Sequence, residues 1–238
     1  PFTVALPDGT TREHELVVVV DNRFDTSRSP LQENYFDFYA YGGIFRPVTV
    51  LALPAVHVTD VRVTTVSLDP PAVEVVTTLA TAEAAAATGE LTTVTIRYLV
   101  NGEEIAREER PLPASSATPI RLELPGHAPW SPGSPALHTL TVVVDGGAAA
   151  PAGAPGESHG SKERAVRDEY TVRFGIRTVA TEGNRFLLNG SPVGLFGWNR
   201  HEGHAQYGAA LPEQQLLHDL EIMKRAGATF VRGSHYPQ

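Results

Sequence analysis

The end of the sequence carries a strand, helix, strand pattern, which constrains the fold more than any other feature. The run Val193–Asn199 is short and apolar, as in a buried parallel strand, and Thr229–Arg232 is a second such run. Between them, Pro212–Ala226 has helical apolar spacing, and Gly227 is placed to end the helix. This order predicts a parallel α/β layer, and we expect the first β–α–β part of a (β/α)8 barrel.

The sequence predicts where the helix begins and an apolar stripe along it. Pro212 fits the first helical position, and Leu216, Leu220 and Met223 form one apolar stripe. A complete barrel takes roughly 250 residues, so residues 177–238 hold about two of its eight units.

The middle of the chain, residues 54–176, has the short apolar runs and turns of a β-sandwich. Its candidate strands are Val61–Leu68, Ala72–Leu79, Thr92–Val100, Arg121–Leu124, Leu137–Val144 and Tyr170–Ile176. Six or seven short strands over about 120 residues predict an immunoglobulin-like sandwich. Two aperiodic stretches rich in small residues, Ala80–Gly89 and Gly146–Arg164, are expected to be mobile surface loops.

Residues 1–53 also favour strands, but too few to close a sandwich. The candidates are Phe2–Leu6, Glu15–Asp21, Tyr35–Tyr41 and Ile44–Leu53. We interpret this part as the C-terminal part of a jelly-roll-like domain whose first strands lie upstream, so the chain is expected to be an internal piece of a longer protein. The predicted fold class is therefore mainly β, with domains at 1–53, 54–176 and 177–238.

Composition limits the partners. The net charge of −8 repels phosphate backbones, which argues against nucleic acid. The longest apolar run, Leu16–Val20, is far shorter than the roughly 20 residues of a membrane span, so no membrane partner is expected. The chain has no cysteine, which excludes disulfides and thiolate metal sites and suits either redox compartment. Localisation is left open, with a lean towards the cytoplasm.

Polar residues follow both predicted barrel strands, at Trp198–His204 and at Arg232–Pro237. Barrel strand ends are where this fold places its chemistry, although solvated loop residues would look the same. A zinc site at His201, Glu202 and His204 is an alternative, but the zinc-protease motif needs one more residue between the histidines and lies on a helix. Glu202 beside Arg200 is expected to be ion-paired and ionised, which does not suit a proton donor.

Several motifs together resemble one enzyme family. They are Phe186–Gly190, Gly197–Glu202, Met223–Lys224, Val231–Pro237, Asp37–Val48, Trp130–Pro132 and Leu137–Leu140. In their order along the chain they resemble glycoside hydrolase family 2, the β-galactosidase and β-glucuronidase family. The resemblance implies a hydrolase that retains anomeric configuration and uses two glutamates about 5 Å apart. Both would lie on later barrel strands, so we expect no catalytic residue in this sequence and no turnover by this chain alone.

The resemblance also implies which residues support the reaction. Asp37, His201 and His235 match residues that bind the sugar. Arg232 matches an arginine placed against the nucleophile, where its fixed charge would keep that carboxylate ionised. Asn199 and Glu202 are taken as further support of the site.

The expected partner is a β-linked sugar, a β-galactoside or a β-glucuronide, and the sequence leaves a homo-oligomer open. No cofactor and no metal site are evident, while a divalent or sodium ion is allowed in the intact enzyme. The alternative function is a non-catalytic carbohydrate-binding or spacer β-sandwich module. The β–α–β end argues against a spacer, which has no need of His201, Arg232 and His235 at barrel strand ends.

Overall fold

The computed structural model describes residues 3–4, 15–22, 41–81, 92–112, 118–146 and 166–233. Both predicted loops and the predicted strands Phe2–Leu6 and Tyr35–Tyr41 lie wholly or largely outside these residues. The chain divides into two compact units, one of residues 50–194 and one of residues 1–49 with 195–238. The domain boundaries proposed from the sequence stay predictions.

The unit 50–194 is built on seven strands in two antiparallel sheets. The strands are β1 (Val56–Leu68), β2 (Pro71–Thr81), β3 (Thr93–Val100), β4 (Glu103–Pro111), β5 (Ile120–Glu123), β6 (His138–Gly146) and β7 (Val166–Phe174). One sheet has the order β1-β2-β5 and the other β4-β3-β6-β7. The predicted immunoglobulin-like β-sandwich is confirmed.

Alternation along the strands produces the core of this sandwich. In β3, every second side chain from Val94 to Val100 is buried, and Tyr98 among them is fully buried. Burial raises the pKa of the Tyr98 hydroxyl to about 12. The group therefore stays protonated and donates a hydrogen bond to Oε1 of Glu108 at 2.7 Å. Among the described residues, every buried apolar side chain lies between Val56 and Ile176.

Strand β4 was not predicted, because its side chains are mostly charged and hide the period of two. It lies at the edge of its sheet, where charged residues are common because they discourage pairing with another chain. Two of these carboxylates interact with side chains of β3 across the sheet. Nη1 of Arg97 lies 3.4 Å from Oε2 of Glu104, and the hydroxyl of Thr95 donates to Oε1 of Glu109 at 2.7 Å. The Asn101–Gly102 turn, with positive φ at both residues, connects the two strands.

A small third sheet completes this unit. It consists of β8 (Val179–Glu182), β9 (Arg185–Leu188) and β10 (Ser191–Val193), in the order β10-β9-β8. Asn189 joins it to the sandwich, because its Nδ2 donates to the Trp130 carbonyl at 2.8 Å and its Oδ1 accepts from the Thr178 amide at 3.0 Å.

The other unit contains the predicted β–α–β pattern. Strand β11 (Gly197–Arg200) pairs in parallel with β12 (Phe230–Gly233), and helix α1 (Glu213–Arg225) lies between them in sequence. The helix ends in a Schellman motif, in which the amide of Gly227, at φ +88°, donates to Lys224 and that of Ala228 donates to Met223. The predicted β–α–β opening of a parallel barrel is confirmed. Pro212, which was expected at the first helical position, is instead the N-cap residue.

The strands predicted at Glu15–Asp21 and Ile44–Leu53 are wrong. Residues 15–22 and 41–55 form no strand in the structure, and Val19 is 87% exposed. An apolar alternation makes a strand only where a neighbouring strand accepts its backbone hydrogen bonds. No such neighbour lies beside these two segments among the described residues.

Candidate active site

The carboxyl ends of β11 and β12 place two candidate site residues side by side. Asn199 is in register with Arg232, and Arg200 with Gly233. Nη1 of Arg232 donates to Oδ1 of Asn199 at 3.3 Å. Both side chains are exposed at the strand ends. The pairing therefore fixes a guanidinium and an amide at the edge where a barrel carries its chemistry.

Arg200 holds the end of β11 against helix α1. Its side chain is only 7% exposed, and Nη1 lies 2.7 Å from Oε1 of Glu202. Its Nε and Nη2 donate to Oδ2 of Asp219 at 3.2 and 2.9 Å. The ion pair expected between Arg200 and Glu202 is present. Glu202 is thus the ion-pair partner of Arg200, and its proposed support of the site stays a prediction.

Asp219 was missed by the sequence reasoning. A hydrogen bond from Nε2 of Gln215 at 3.0 Å, followed by the nearby Arg200 guanidinium, holds the pKa of the Asp219 carboxyl below its ordinary value. The carboxylate lies on α1, 19 positions from Arg200 along the chain. No local motif marks a contact at that distance, although a basic residue ending a strand before an acidic helix is a usable signal.

A tight turn, residues 203–209, follows these residues. His204 and Gly208 exchange backbone hydrogen bonds of 2.9 and 2.8 Å. Nδ1 of His204 accepts from the Gln206 amide at 3.1 Å, and its ring lies 5.1 Å from that of Tyr207. The zinc alternative gains no support from this geometry. The described residues hold no cluster of three potential metal ligands.

Of the three predicted sugar-binding residues, only His201 lies among the residues that the structure describes. His201 is exposed at the end of β11. Asp37 and His235 lie outside the described residues, so the convergence of the three on one pocket stays a prediction. Trp198, another residue of the β11 motif, is 47% exposed.

A β-sandwich together with the opening strands of a parallel barrel, polar at their carboxyl ends, defines a class of modular barrel enzymes. Two family models match this chain. The model described as "Glycosyl hydrolases family 2" matches residues 56–150, and "Glycosyl hydrolases family 2, TIM barrel domain" matches residues 179–238. The chain belongs to glycosyl hydrolase family 2.

Known relatives agree with this family. A β-galactosidase of Thermoanaerobacter pseudethanolicus is 28% identical over 95% of this chain, and human β-glucuronidase is 30% identical over 90%. The chain spans 28% and 30% of the length of these two relatives. A crystal structure of a family 2 β-galacturonidase from Eisenbergiella tayi, bound to galacturonate, matches 92% of this chain and 36% of its own, with a TM-score of 0.75 and 26% identity.

No helix among the described residues is both long enough and apolar enough to cross a membrane.

Proposed function

We propose that the protein carrying this chain is a retaining β-glycosidase that hydrolyses O-glycosyl bonds of β-linked sugars in carbohydrate metabolism. The observation that carries the proposal is the paired Asn199 and Arg232 at the ends of two parallel barrel strands, within the segment that the barrel model of the family matches. The proposed sugar is a galactoside or a glucuronide. The names of the relatives support a galactose- or uronate-type glycoside.

The proposed reaction needs two carboxyl groups beyond those assigned here. One protonates the leaving oxygen while the other attacks the anomeric carbon, and water then hydrolyses the glycosyl-enzyme. Arg232 would stand beside the attacking carboxylate. Its permanent charge would keep that group ionised, and Asn199 holds the guanidinium in place from the neighbouring strand.

Asp37, His201 and His235 are proposed to bind the sugar. A carboxylate accepts hydrogen bonds from adjacent hydroxyls, and an imidazole can donate to a hydroxyl as charge develops at the anomeric carbon. These contacts would be made before and during bond cleavage, so their loss should lower kcat/KM more than it lowers stability.

The test is an assay of the full-length protein with 4-nitrophenyl β-galactoside, β-glucuronide and β-galacturonide. At least one should be hydrolysed, and proton NMR should show the β-anomer as the first product, because two inversions at the anomeric carbon restore its configuration. An α-anomer as first product would contradict the retaining mechanism.

The alternative, a non-catalytic sugar-binding or spacer module, has its own signature in this assay. Such a protein would release no nitrophenol from any of the three substrates. Saturable binding of galactose or glucuronate, measured by calorimetry without turnover, would favour it.

A further inference from the structure

The turn 203–209 is held by two side chains from a distant part of the sequence. Nη1 of Arg46 donates to the Ala209 carbonyl at 2.6 Å. The ring of Tyr41 lies against Gly208, where an added Cβ would be 3.1 Å from Cε1 and 3.2 Å from Cδ1 of the ring. These contacts lie within the unit formed by residues 1–49 and 195–238.

The turn itself is suited to being held in one conformation. Gly208 has φ +55°, which glycine adopts with little strain, and no side chain keeps the Tyr41 ring away. The paired amides and carbonyls of His204 and Gly208 close the turn. Tyr41 and Arg46 therefore contact a preformed element and not a loose loop.

This element lies directly after two candidate site residues. His201 and Glu202 connect the end of β11 to Gly203, the first residue of the turn. Arg200 fixes the start of this connection through Asp219 and Glu202, and Arg46 and Tyr41 fix the far end of the turn. The backbone of His201 thus runs between two anchored points.

We propose that Tyr41 and Arg46 are positioning residues for the proposed active site, holding the turn 203–209 so that His201 is presented to the sugar in one orientation. The role rests on the proposed glycosidase function. A group that is already ordered costs less entropy when substrate binds, so these two residues act mainly on substrate binding. They need no contact with the sugar.

The first test replaces Arg46 in the full-length protein. Arg46→Ala should raise KM for the best 4-nitrophenyl glycoside by about three- to tenfold with a smaller change in kcat, because ordering of the turn is then completed only on binding. Arg46→Lys should recover most of the loss, since an ammonium can also donate to the Ala209 carbonyl. Arg185→Ala, at an exposed arginine of β9, is the control and should leave KM unchanged.

The second test uses two glycines with nearly the same backbone angle. Gly208 has φ +55° and meets Tyr41, whereas Gly183 has φ +58° and has nothing within 4 Å of an added Cβ. Both alanine variants strain the backbone, but only Gly208→Ala should raise KM and speed amide exchange in residues 203–209. Because the clash is with the ring, adding Tyr41→Ala to Gly208→Ala should cost less than the sum of the single changes.

The outcomes separate the two proposals. A wild-type protein that hydrolyses none of the glycosides overturns the proposed function and the positioning role with it. An active wild-type protein whose KM and amide exchange in 203–209 are unchanged by Arg46→Ala and Gly208→Ala overturns the positioning role alone. A loss in Arg46→Ala that appears only in the thermal midpoint, with KM unchanged, also overturns it.

Discussion

Arg200 brings a buried positive charge to the end of β11 and balances it with two carboxylates. A buried guanidinium is costly to desolvate, and ion pairs with good geometry offset that cost. Two partners on different elements also fix the direction in which the strand leaves the sheet. The backbone at the neighbouring Asn199 and His201 is therefore held through the buried side chain of Arg200.

Asp219→Asn should destabilise the β11–α1 contact by about 1–3 kcal/mol at pH 7, because a charged hydrogen-bond partner of a buried guanidinium is lost. The pKa of Asp219 is lowered in the folded protein, so its stabilisation is complete above the ordinary value of 3.8 and is lost as pH falls through the lower folded value. Amide exchange of residues 197–202 and 213–225 at several pH values measures this.

The difference between wild type and Asp219→Asn should be constant from pH 7 to about pH 5 and should shrink only in stronger acid. Glu221→Gln, at an exposed position of the same helix, is the matched control and should change exchange little. A difference that grows on acidification would show that the carboxylate of Asp219 does not stabilise Arg200.

Replacing each proposed sugar-binding residue by alanine should lower kcat/KM without unfolding the full-length protein. Loss of one hydrogen bond to a substrate hydroxyl costs about 1–3 kcal/mol, or roughly five- to 150-fold in kcat/KM. The variants are Asp37→Ala, His201→Ala and His235→Ala, with the exposed His218 of α1 replaced as a control. Wild-type kcat/KM in all three, with unchanged thermal midpoints, would refute their binding roles.

At the scale of elements, the pairing of β11 with β12 depends on one glycine. Gly197 is in register with Phe230, and a Cβ on Gly197 would collide with the Phe230 carbonyl. The two backbones could not keep their present distance around a side chain. Strands β11 and β12, which carry the candidate site, can therefore pair at this distance only because residue 197 has no Cβ.

Gly197→Ala should therefore open the β11–β12 pair at a cost of about 3 kcal/mol, the upper end of what overpacking costs. Amide exchange in residues 197–200 and 230–233 should speed up, and any glycosidase activity should fall with it. Gly233→Ala lies in the same two-stranded sheet and meets nothing within 4 Å, so it is the control. Equal exchange in both variants would show that the close approach is not required.

Sequence reasoning located the elements whose pattern is local. The helix expected at Pro212–Ala226 is Glu213–Arg225, because apolar spacing and the Gly227 cap are both readable in a few residues. Strand β4 was missed because charged side chains, which make an ion pair and a hydrogen bond to β3, replace the apolar alternation. The segment Ile44–Leu53 has the alternation, but no described strand lies beside it, and no local pattern can reveal whether a neighbouring strand is present.

In the candidate site, too, contacts between residues close in sequence were predicted and contacts between distant residues were not. The ion pair of Arg200 with Glu202 spans two positions and was expected, whereas Asp219 and Ala209 contact their partners across 19 and 163 positions. Contacts between residues so far apart in sequence depend on how the elements pack, and they cannot be predicted from the local pattern of one sequence.

At the scale of the molecule, residues 50–194 form a compact unit that extends past the seven-stranded sandwich. Asn189 bonds the β8–β10 sheet to Trp130, and Arg177 lies over the Trp130 ring at 4.9 Å. The buried apolar core of the described residues belongs entirely to this unit. The β8–β10 sheet is therefore expected to unfold together with the sandwich.

A polypeptide of residues 50–194 should fold alone and unfold cooperatively, and one of residues 50–176 should melt about 2–8 °C lower, because the hydrogen bonds of Asn189 are lost. Asn189→Ala in the longer polypeptide should reproduce part of this decrease. Calorimetry measures the midpoints. Identical midpoints for the two lengths would show that the small sheet adds nothing to the sandwich.

The hydrogen bond from Arg46 to Ala209 joins residues that are synthesised 163 positions apart, so it can form only after a delay. At roughly 5–20 residues per second, the ribosome makes the acceptor carbonyl about 8–33 s after the arginine. The whole unit of residues 50–194 is made within that interval and can fold first, as domains do during synthesis. Throughout it, Tyr41, Ile44 and Phe45 emerge without the turn against which Tyr41 packs. This apolar segment of the nascent chain is where chaperone binding would be expected.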